Sequence, residues 1–304
     1  MKVLITGANG FIGSHLSCYF QSQGYSVTGW DIAKSPNARQ IEIVDMTDFS
    51  VVLKCLQELK PDMIVHCSGA ADVGKSVLNP ELDYISNVTI THNLMFAIHS
   101  LHLHHVRVVF LSSAAVYGNP DSLPIAESAS LNPLSPYALH KMMCENIFEY
   151  FYRNDIADVK IVRIFSAYGE GLKKQIFWDM YKKVIQTGKL AMYGTGNESR
   201  DYIYIDDLVN AIYLVATKAP RNELIYNVAN GEEITIRSVA ELFAIATGVD
   251  LKNITFNGQE REGDPINWCA DITKLARLGY QKKYDLAMGL ECYVKWVGTV
   301  NELA

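Results

Sequence analysis

The sequence predicts an α/β fold, with a parallel sheet flanked by helices and a smaller, mixed α/β C-terminal lobe behind it. Three observations carry that expectation. Gly7, Gly10 and Gly13 follow directly on the apolar run Val3-Leu4-Ile5. Strand-like apolar runs then alternate with helical patterns as far as Gly169. Beyond Gly169 the units shorten and are punctuated by Gly188, Gly194, Gly196, Gly231, Gly258 and Gly263.

The first element is a strand over 2–6, and the glycines make a tight turn into a helix over 12–23. Gly7 permits the turn, Gly10 lets backbone approach a pyrophosphate, and Gly13 lets helix and sheet pack closely. The helix N-terminus can hold the pyrophosphate's charge. A second apolar run, Val27-Thr28-Gly29-Trp30-Asp31, ends in an acid. A carboxylate there accepts hydrogen bonds from a free ribose 2′-hydroxyl and repels a 2′-phosphate, which favours NAD over NADP. Lys34, close behind, works against that preference.

Further strands are expected over 26–31, 41–44, 62–66, 106–112 and 159–165. Helices are expected over 48–59, 81–103 and 136–153. Repeated strand–helix units imply a parallel sheet covered on both faces. The stretches 81–103 and 136–153 are more apolar than one sheet face requires, so they are expected to pair across a homodimer interface. In the second half, helices are expected over 175–187, 206–217, 236–247, 271–277 and 285–298, and strands over 190–193, 201–205, 224–228 and 253–256. The expected division is a nucleotide-binding domain over 1–169, to which 201–230 returns, and a mainly substrate-binding lobe over 170–304.

Composition narrows the function. The 304 residues are 49% hydrophobic, enough for a large core, and the net charge of -6 comes without a basic block. That argues against nucleic acid or a membrane surface as partner. The six cysteines are scattered without a CxxC pair and read as reduced thiols. The chain enters its first strand at once and no apolar run approaches about 18 residues, so a cytoplasmic location is expected.

Tyr137 and Lys141 stand four residues apart on the helix that begins at Pro136, which puts them on one face. An ammonium beside a phenol stabilises phenolate and is expected to lower its pKa. Ser113, after the strand over 106–112, supplies a hydroxyl that binds a substrate oxygen while Tyr137 exchanges its proton.

These motifs, in order, resemble the extended short-chain dehydrogenase/reductase family, within its nucleotide-sugar epimerase/dehydratase group. The resemblance runs through Thr6-Gly7-Ala8-Asn9-Gly10-Phe11-Ile12-Gly13, Asp45-Met46, His66-Cys67-Ser68-Gly69 and Ser112-Ser113-Ala114-Ala115-Val116-Tyr117-Gly118. It continues through Ser135-Pro136-Tyr137-Ala138-Leu139-His140-Lys141, Arg163-Ile164-Phe165-Ser166-Ala167-Tyr168-Gly169, Arg200-Asp201-Tyr202 and Arg261-Glu262-Gly263-Asp264. It implies a Rossmann domain that binds NAD through the glycine turn and Asn9, Phe11 and Ile12, with Asp31 at the ribose. Asp45 and Met46 would meet the adenine, and Cys67, Ser68 and Gly69 would line the ribose and pyrophosphate path. Ser112 and Phe165 would complete the cofactor site, and Asn87 would lie in the helix supporting it. Tyr137 would be the acid/base, Ser113 its hydroxyl partner, and Lys141 would also hold the nicotinamide ribose. The partner would be a nucleoside-diphosphate sugar. Arg200 and Arg261 would take its diphosphate, and Asp264 would order Arg261 or touch the nucleotide.

The departures discriminate further. Dehydratases of the group carry an Asp-Glu pair where this chain has Ala114 and Ala115, which cannot move protons. Ser166 stands where many relatives have asparagine, and Ala71 near a position that some hexose epimerases fill with lysine. Lys173 or Lys174 is a candidate replacement phosphate contact, and Trp178 either borders the ligand or packs in the core. The expected reaction is NAD-dependent 4-epimerisation through a 4-keto sugar, with no metal required. The alternative is NAD(P)H-dependent reduction of a 4-keto-6-deoxy sugar nucleotide, which the same residues would serve. A non-catalytic nucleotide-binding role is disfavoured by the complete set Ser113, Tyr137 and Lys141.

Overall fold

A computed structural model describes residues 1–33, 41–259 and 265–301. The first half runs β1 (Lys2–Thr6), α1 (Phe11–Ser22), β2 (Ser26–Asp31), β3 (Ile41–Ile43), α2 (Phe49–Leu59), β4 (Met63–His66), α3 (Val73–Leu78) and α4 (Pro80–Tyr84). A π-helical turn, Ile85–Thr89, leads into α5 (Ile90–Ser100) and then β5 (Arg107–Ser113), a 3₁₀ turn (Ala114–Tyr117), α6 (Pro136–Arg153) and β6 (Asp158–Ile164). The second half holds β7 (Ser166–Tyr168), α7 (Gln175–Thr187), β8 (Leu190–Met192), β9 (Ser199–Arg200), β10 (Tyr202–Tyr204) and α8 (Ile205–Lys218). It ends with β11 (Ile225–Val228), β12 (Ile234–Thr235), α9 (Ile236–Thr247), β13 (Ile254–Phe256), α10 (Thr273–Arg277) and α11 (Leu286–Asn301).

Seven strands form one sheet in the order β11-β6-β5-β4-β1-β2-β3, all parallel. The chain winds outward from β1 through β2 and β3, then crosses back to β4 and winds the other way. That reversal opens a crevice beyond the C-terminal ends of β1 and β4. Alternation along the strands feeds two cores. Val3, Ile5, Val65, Val109 and Leu111 face one layer, with Leu16 and Phe20 of α1 and Leu208 and Ile212 of α8. Leu4, Ile64, Val108 and Phe110 face the other, with Val52 and Leu56 of α2, Leu94 and Ile98 of α5, and Phe148 of α6.

Two expectations need adjustment. The helix expected over 81–103 forms from Pro80 to Ser100, but it is not uniform. Proline at position 80 cannot donate a backbone hydrogen bond, and the Asn79 side chain accepts from Leu82 N, so the chain restarts there as α4. The π turn then inserts its extra residue around Asn87 before α5 begins. The strand expected over 201–205 forms as β10, but it pairs with β7, an element absent from the sequence reading. It is α8 that lies against the main sheet, where Asn210 donates to the Tyr19 hydroxyl of α1 at 3.0 Å, and β11 that extends the sheet.

Helix α6 is fastened at its start and near its middle. Ser135 accepts from Ala138 N at its start, with Pro136 in the first helical position. One turn beyond Lys141, Glu145 is buried and receives Arg163 of β6 through three contacts at 3.0, 3.2 and 2.7 Å. Ser112 of β5 donates to the same carboxylate at 2.5 Å. Arg163 also reaches the Tyr117 hydroxyl and the Glu127 carbonyl, both at 2.9 Å. Removing one side of such a pair strands a buried charge. Glu145→Ala is therefore expected to cost about 3–5 kcal/mol of unfolding free energy, read from denaturant melts. A loss below about 1 kcal/mol would show the pair to behave like a surface one.

Candidate active site

The crevice opens into a cleft of about 880 Å³ that runs from the glycine turn to the second lobe. Gly7 has φ +65, and a Cβ there would stand 2.9 Å from Ser68 N. A Cβ at Gly13 would come within 2.2 Å of the Gly7 carbonyl oxygen. Only glycine lets α1 start this close to the β1 turn. Helix α1 begins with no side-chain cap and no acid in its first turn, so its N–H groups are left for an anion. Asp31, at the end of β2, is fixed beside the turn: Asn9 N donates to its Oδ2 at 2.9 Å and Ile32 N to its Oδ1 at 2.8 Å. Asn9 donates through Nδ2 to the Ala33 carbonyl, while its Oδ1 is buried without a hydrogen-bond partner among the described residues. A glycine cradle, a helix N-terminus, a fixed carboxylate and an orphaned amide oxygen together suit a dinucleotide.

The layer beneath the cleft is polar but quiet. His66 bonds Thr6 Oγ1 at 2.8 Å and Thr91 Oγ1 at 3.2 Å, and burial, with the Lys141 charge second, pushes its pKa down to about 3. Burial pushes the Cys67 thiol up, so it stays protonated. Gly69, with φ +145, leaves room for two groups. A Cβ there would lie 2.6 Å from Asn87 Oδ1 and 3.4 Å from Lys141 Nζ. Asn87 spends its amide nitrogen on the Asp83 carbonyl at 3.0 Å, and its Oδ1 is a second buried oxygen without a partner among the described residues.

Tyr137, Lys141 and Ser113 meet on the cleft wall. The Tyr137 backbone N donates to Ser76 Oγ at 3.1 Å. Burial pushes the phenol up to about 12, and the hydrogen bond with Ser113 is what opposes it. The lowering expected from Lys141 is absent, for a geometric reason. Its Nζ donates to the Leu111 carbonyl at 3.1 Å, sits 4.9 Å over the Phe110 ring, and is 6.0 Å from the Tyr137 ring centroid. Burial lowers the Lys141 pKa in turn.

The cleft lining gathers Gly7, Gly10, Phe11, Ile12, Gly13, Cys67, Gly69, Ser112, Ser113, Tyr137, Lys141, Phe165, Ser166, Lys174 and Arg200 of the expected residues. Asn9, Asp31, Asp45, Met46, Ser68 and Asn87 stand off this lining. Two of the expected cofactor contacts have their side chains committed elsewhere. The Ser112 hydroxyl turns beneath the sheet to Glu145. Met46 packs into the second core, its carbonyl held by Asn93 Nδ2 at 2.9 Å. Asp45 caps its own turn, accepting from Thr47 N and Oγ1, which lowers its pKa. Ser68 N donates to Thr6 Oγ1 at 3.2 Å. Lys174 Nζ donates to the Ala71 carbonyl at 3.1 Å, which brings an ammonium from α7's edge to the position noted for its missing lysine. Arg261, Asp264 and Lys34 lie outside the described residues.

The sequence reading missed Trp268. It lines the cleft, donates to the Gly118 carbonyl at 3.0 Å and carries the Arg200 guanidinium 5.5 Å above its ring. Arg200 also donates to the carbonyls of Ser199 and Ile266, at 2.8 and 3.1 Å. The signal was a lone tryptophan just past the Arg261–Asp264 block.

Known proteins share this fold. The model of the NAD dependent epimerase/dehydratase family matches residues 3–229, and the chain belongs to that family. A probable UDP-arabinose 4-epimerase 3 of Arabidopsis thaliana is 30% identical over 337 residues, spanning 98% of this chain and 81% of its own length. The UDP-glucose 4-epimerase of Lactobacillus helveticus is 30% identical over 312 residues, 94% of this chain and 93% of its own. The crystal structure of the Thermus thermophilus UDP-glucose 4-epimerase in complex with NAD matches with a TM-score of 0.87 at 26% identity, covering 97% of this chain and 98% of that one. Among the described residues, no helix is long and apolar enough to cross a membrane, and no cluster of three or more His, Cys, Asp or Glu could hold a metal ion.

The cradle makes a direct prediction. Gly13→Ala forces a methyl against backbone, a strain of about 1–3 kcal/mol. Dinucleotide affinity, titrated by NADH fluorescence, should fall by roughly tenfold or more. Unchanged affinity would show that α1 can back away from the turn.

Proposed function

We propose that this chain is an NAD-dependent nucleotide-sugar 4-epimerase working through a transient 4-keto sugar. The observation that carries the reading is the meeting of Tyr137, Ser113 and Lys141 in one cleft with the glycine turn at one end and Arg200 at the other. The relatives described above are named as 4-epimerases of UDP-sugars. Bound NAD supplies the hydride acceptor and, after the keto sugar presents its other face, the donor. Tyr137 as phenolate takes the C4 hydroxyl proton and later returns it. Ser113 donates to the C4 oxygen and keeps Tyr137 aimed. Lys141 holds the nicotinamide ribose. The N–H groups of α1 and Gly10 take the pyrophosphate, Asp31 the adenosine ribose, and Gly69 and Asn87 flank the reacting end. Asp45 and Met46 border the adenine through backbone rather than side chain. Arg200, with Arg261, takes the sugar nucleotide's diphosphate. Neither Ala114, which is buried, nor Ala115, which lines the cleft, could move a proton for 4,6-elimination.

Three measurements test this. The phenol, raised to about 12, is protonated at neutral pH. As a base its active fraction grows about tenfold per pH unit below its pKa. Single-turnover hydride transfer from sugar to cofactor is thus expected to rise between about pH 7 and pH 9. Tyr137→Phe should flatten that rise and slow transfer by roughly 10² or more while cofactor affinity holds. Near-normal transfer in this variant would remove Tyr137 from the chemistry.

The reaction itself is read by product analysis on UDP-, dTDP- and GDP-hexoses and their 4-keto-6-deoxy forms. A C4 epimer without net NADH consumption is expected. Stoichiometric NADH loss with a keto sugar would replace the reading by a 4-ketoreductase.

A homodimer is supported by exposed apolar groups on the helices behind the site: Leu82, Tyr84, Phe96, Leu139 and Tyr150. They suit two-fold pairing of α4–α6 with a second copy. Light scattering with gel filtration should report about twice 34.0 kDa. A clean monomer across micromolar concentrations would rule the pairing out.

A further inference from the structure

Tyr137 stands in the first turn of α6, where a helix leaves N–H groups unanswered by its own carbonyls. The Glu145–Arg163 pair that anchors α6 lies two turns further on. The donors of the first turn can be followed one by one. Pro136 has no N–H. Ala138 N donates to Ser135 Oγ at 3.2 Å and Leu139 N to the Ser135 carbonyl at 3.0 Å, both within the helix and its cap. The Tyr137 N–H goes instead to another element, donating to Ser76 Oγ of α3 at 3.1 Å.

The Ser76 hydroxyl is placed to receive it. Ser76 is fully buried, and its Oγ donates to the Val73 carbonyl at 2.7 Å. With its one proton spent there, the oxygen offers lone pairs to the Tyr137 N–H. A six-residue helix can hold a neighbour only if it is held itself. The start of α3 is capped by Asp72, whose Oδ1 accepts from Lys75 N at 3.0 Å. The loop before it is gripped from across the cleft by Lys174 Nζ, which donates to the Ala71 carbonyl at 3.1 Å. Its end passes straight into α4 through Asn79, whose side chain accepts from Leu82 N at 3.1 Å. Helix α4 then meets α6 again, where Asp83 Oδ2 lies 2.6 Å from His140 Nδ1. Helices α3 and α4 together thus grip the start of α6 at Tyr137 and at His140.

We propose that Ser76 is a positioning residue for Tyr137: it captures that residue's backbone N–H and so fixes where the phenol enters the cleft. The inference rests on Tyr137 being the proton-transfer group. Tyr137 and Ser113 must converge on one substrate oxygen, and a misplacement of about 1 Å can cost roughly 10²-fold in rate. Without the Ser76 oxygen a buried N–H loses its acceptor, and the first turn of α6 must shift to find another. Val73 and Gly74 of α3 also line the cleft, so one short helix both borders the ligand and holds the residue that acts on it.

Ser76→Ala deletes the acceptor at nearly constant shape. Residue-resolved hydrogen exchange of the Tyr137 amide is expected to quicken by about tenfold. Single-turnover hydride transfer and kcat should fall roughly tenfold, with KM and NADH affinity within about twofold of wild type. Ser76→Cys offers a weaker acceptor of similar size. Its amide exchange and its rate should both lie between those of wild type and Ser76→Ala, and it carries the test should Ser76→Ala not fold. In the Tyr137→Phe background there is no phenol to aim, so Ser76→Ala should slow the residual transfer no further. An unchanged kcat or an unchanged Tyr137 exchange in the Ser76 variants would overturn the proposal. So would an equal loss in the Tyr137→Phe background, which would make Ser76 a general support of the fold. Tyr137→Phe alone separates the failures. Hydride transfer surviving that change overturns the parent reading. Loss of transfer there, with wild-type transfer in the Ser76 variants, overturns this inference alone.

Discussion

The buried pair Glu145–Arg163 is the constraint on which the site depends, although it lies outside the cleft. It ties α6 to β6, and through Ser112 it ties α6 to β5 as well. Strand alternation does the rest. With the Ser112 side chain pulled under the sheet, Ser113 turns the other way, into the cleft. On α6, Glu145 is one turn beyond Lys141 and two beyond Tyr137, so anchoring it sets the height of both above the sheet. A shift of α6 would separate Tyr137 from Ser113, whose hydrogen bond is the influence that opposes the phenol's burial. The network extends through the Tyr117 hydroxyl, which donates to Asn227 Oδ1 of β11 at 2.7 Å. The strut thus spans three strands and a helix.

The sheet's reversal decides where that geometry is useful. Beyond β1 the chain must bend back around α1, and the Gly7–Gly13 approach makes the bend tight enough to bring bare helix N–H groups to the crevice. Beyond β4 the backbone passes under Lys141 at Gly69. The second lobe closes the far side. Its Asp201 carboxylate, fully buried, accepts from Asn230 N, Gly231 N and Ala270 N, at 2.9, 2.9 and 3.0 Å. That knot binds three separate loops beside Arg200 and Trp268. The guanidinium is therefore held over the indole by the fold rather than by its own flexible stem.

What the sequence made legible was local. The helix over 136–153 is found to the residue because Ser135, Pro136 and an unbroken run of helix-compatible residues all agree. The helices over 175–187 and 236–247 end at Gly188 and Gly248, both left-handed C-caps, for the same kind of reason. The π turn within 81–103 was hidden because apolar spacing continues across it. Strand β7 is too short to show periodicity and exists only through its pairing with β10. In the site, residue types were legible and side-chain directions were not. Nothing in Ser112-Ser113 says which hydroxyl faces the cleft until the strand's register is known. Met46 follows the same rule, since its neighbour Asp45 turns outward and it turns in.

Asp83 and His140 show the limit most clearly, being 57 positions apart in sequence and 2.6 Å apart in space. His140 stands inside the block from Ser135 to Lys141 without a role of its own there, and Asp83 belongs to no motif. The Tyr-x-x-x-Lys spacing argues for a lowered phenol pKa, yet here dehydration of the site dominates. A buried phenol surrounded by neutral thiols and a neutral His66 has little to stabilise its anion until positive charge arrives in the cleft. In such an arrangement ionisation of Tyr137 becomes conditional on an assembled complex. The 4-epimerisation proposed above, which runs proton transfer in both directions, is served by that conditionality better than by a phenolate formed in advance.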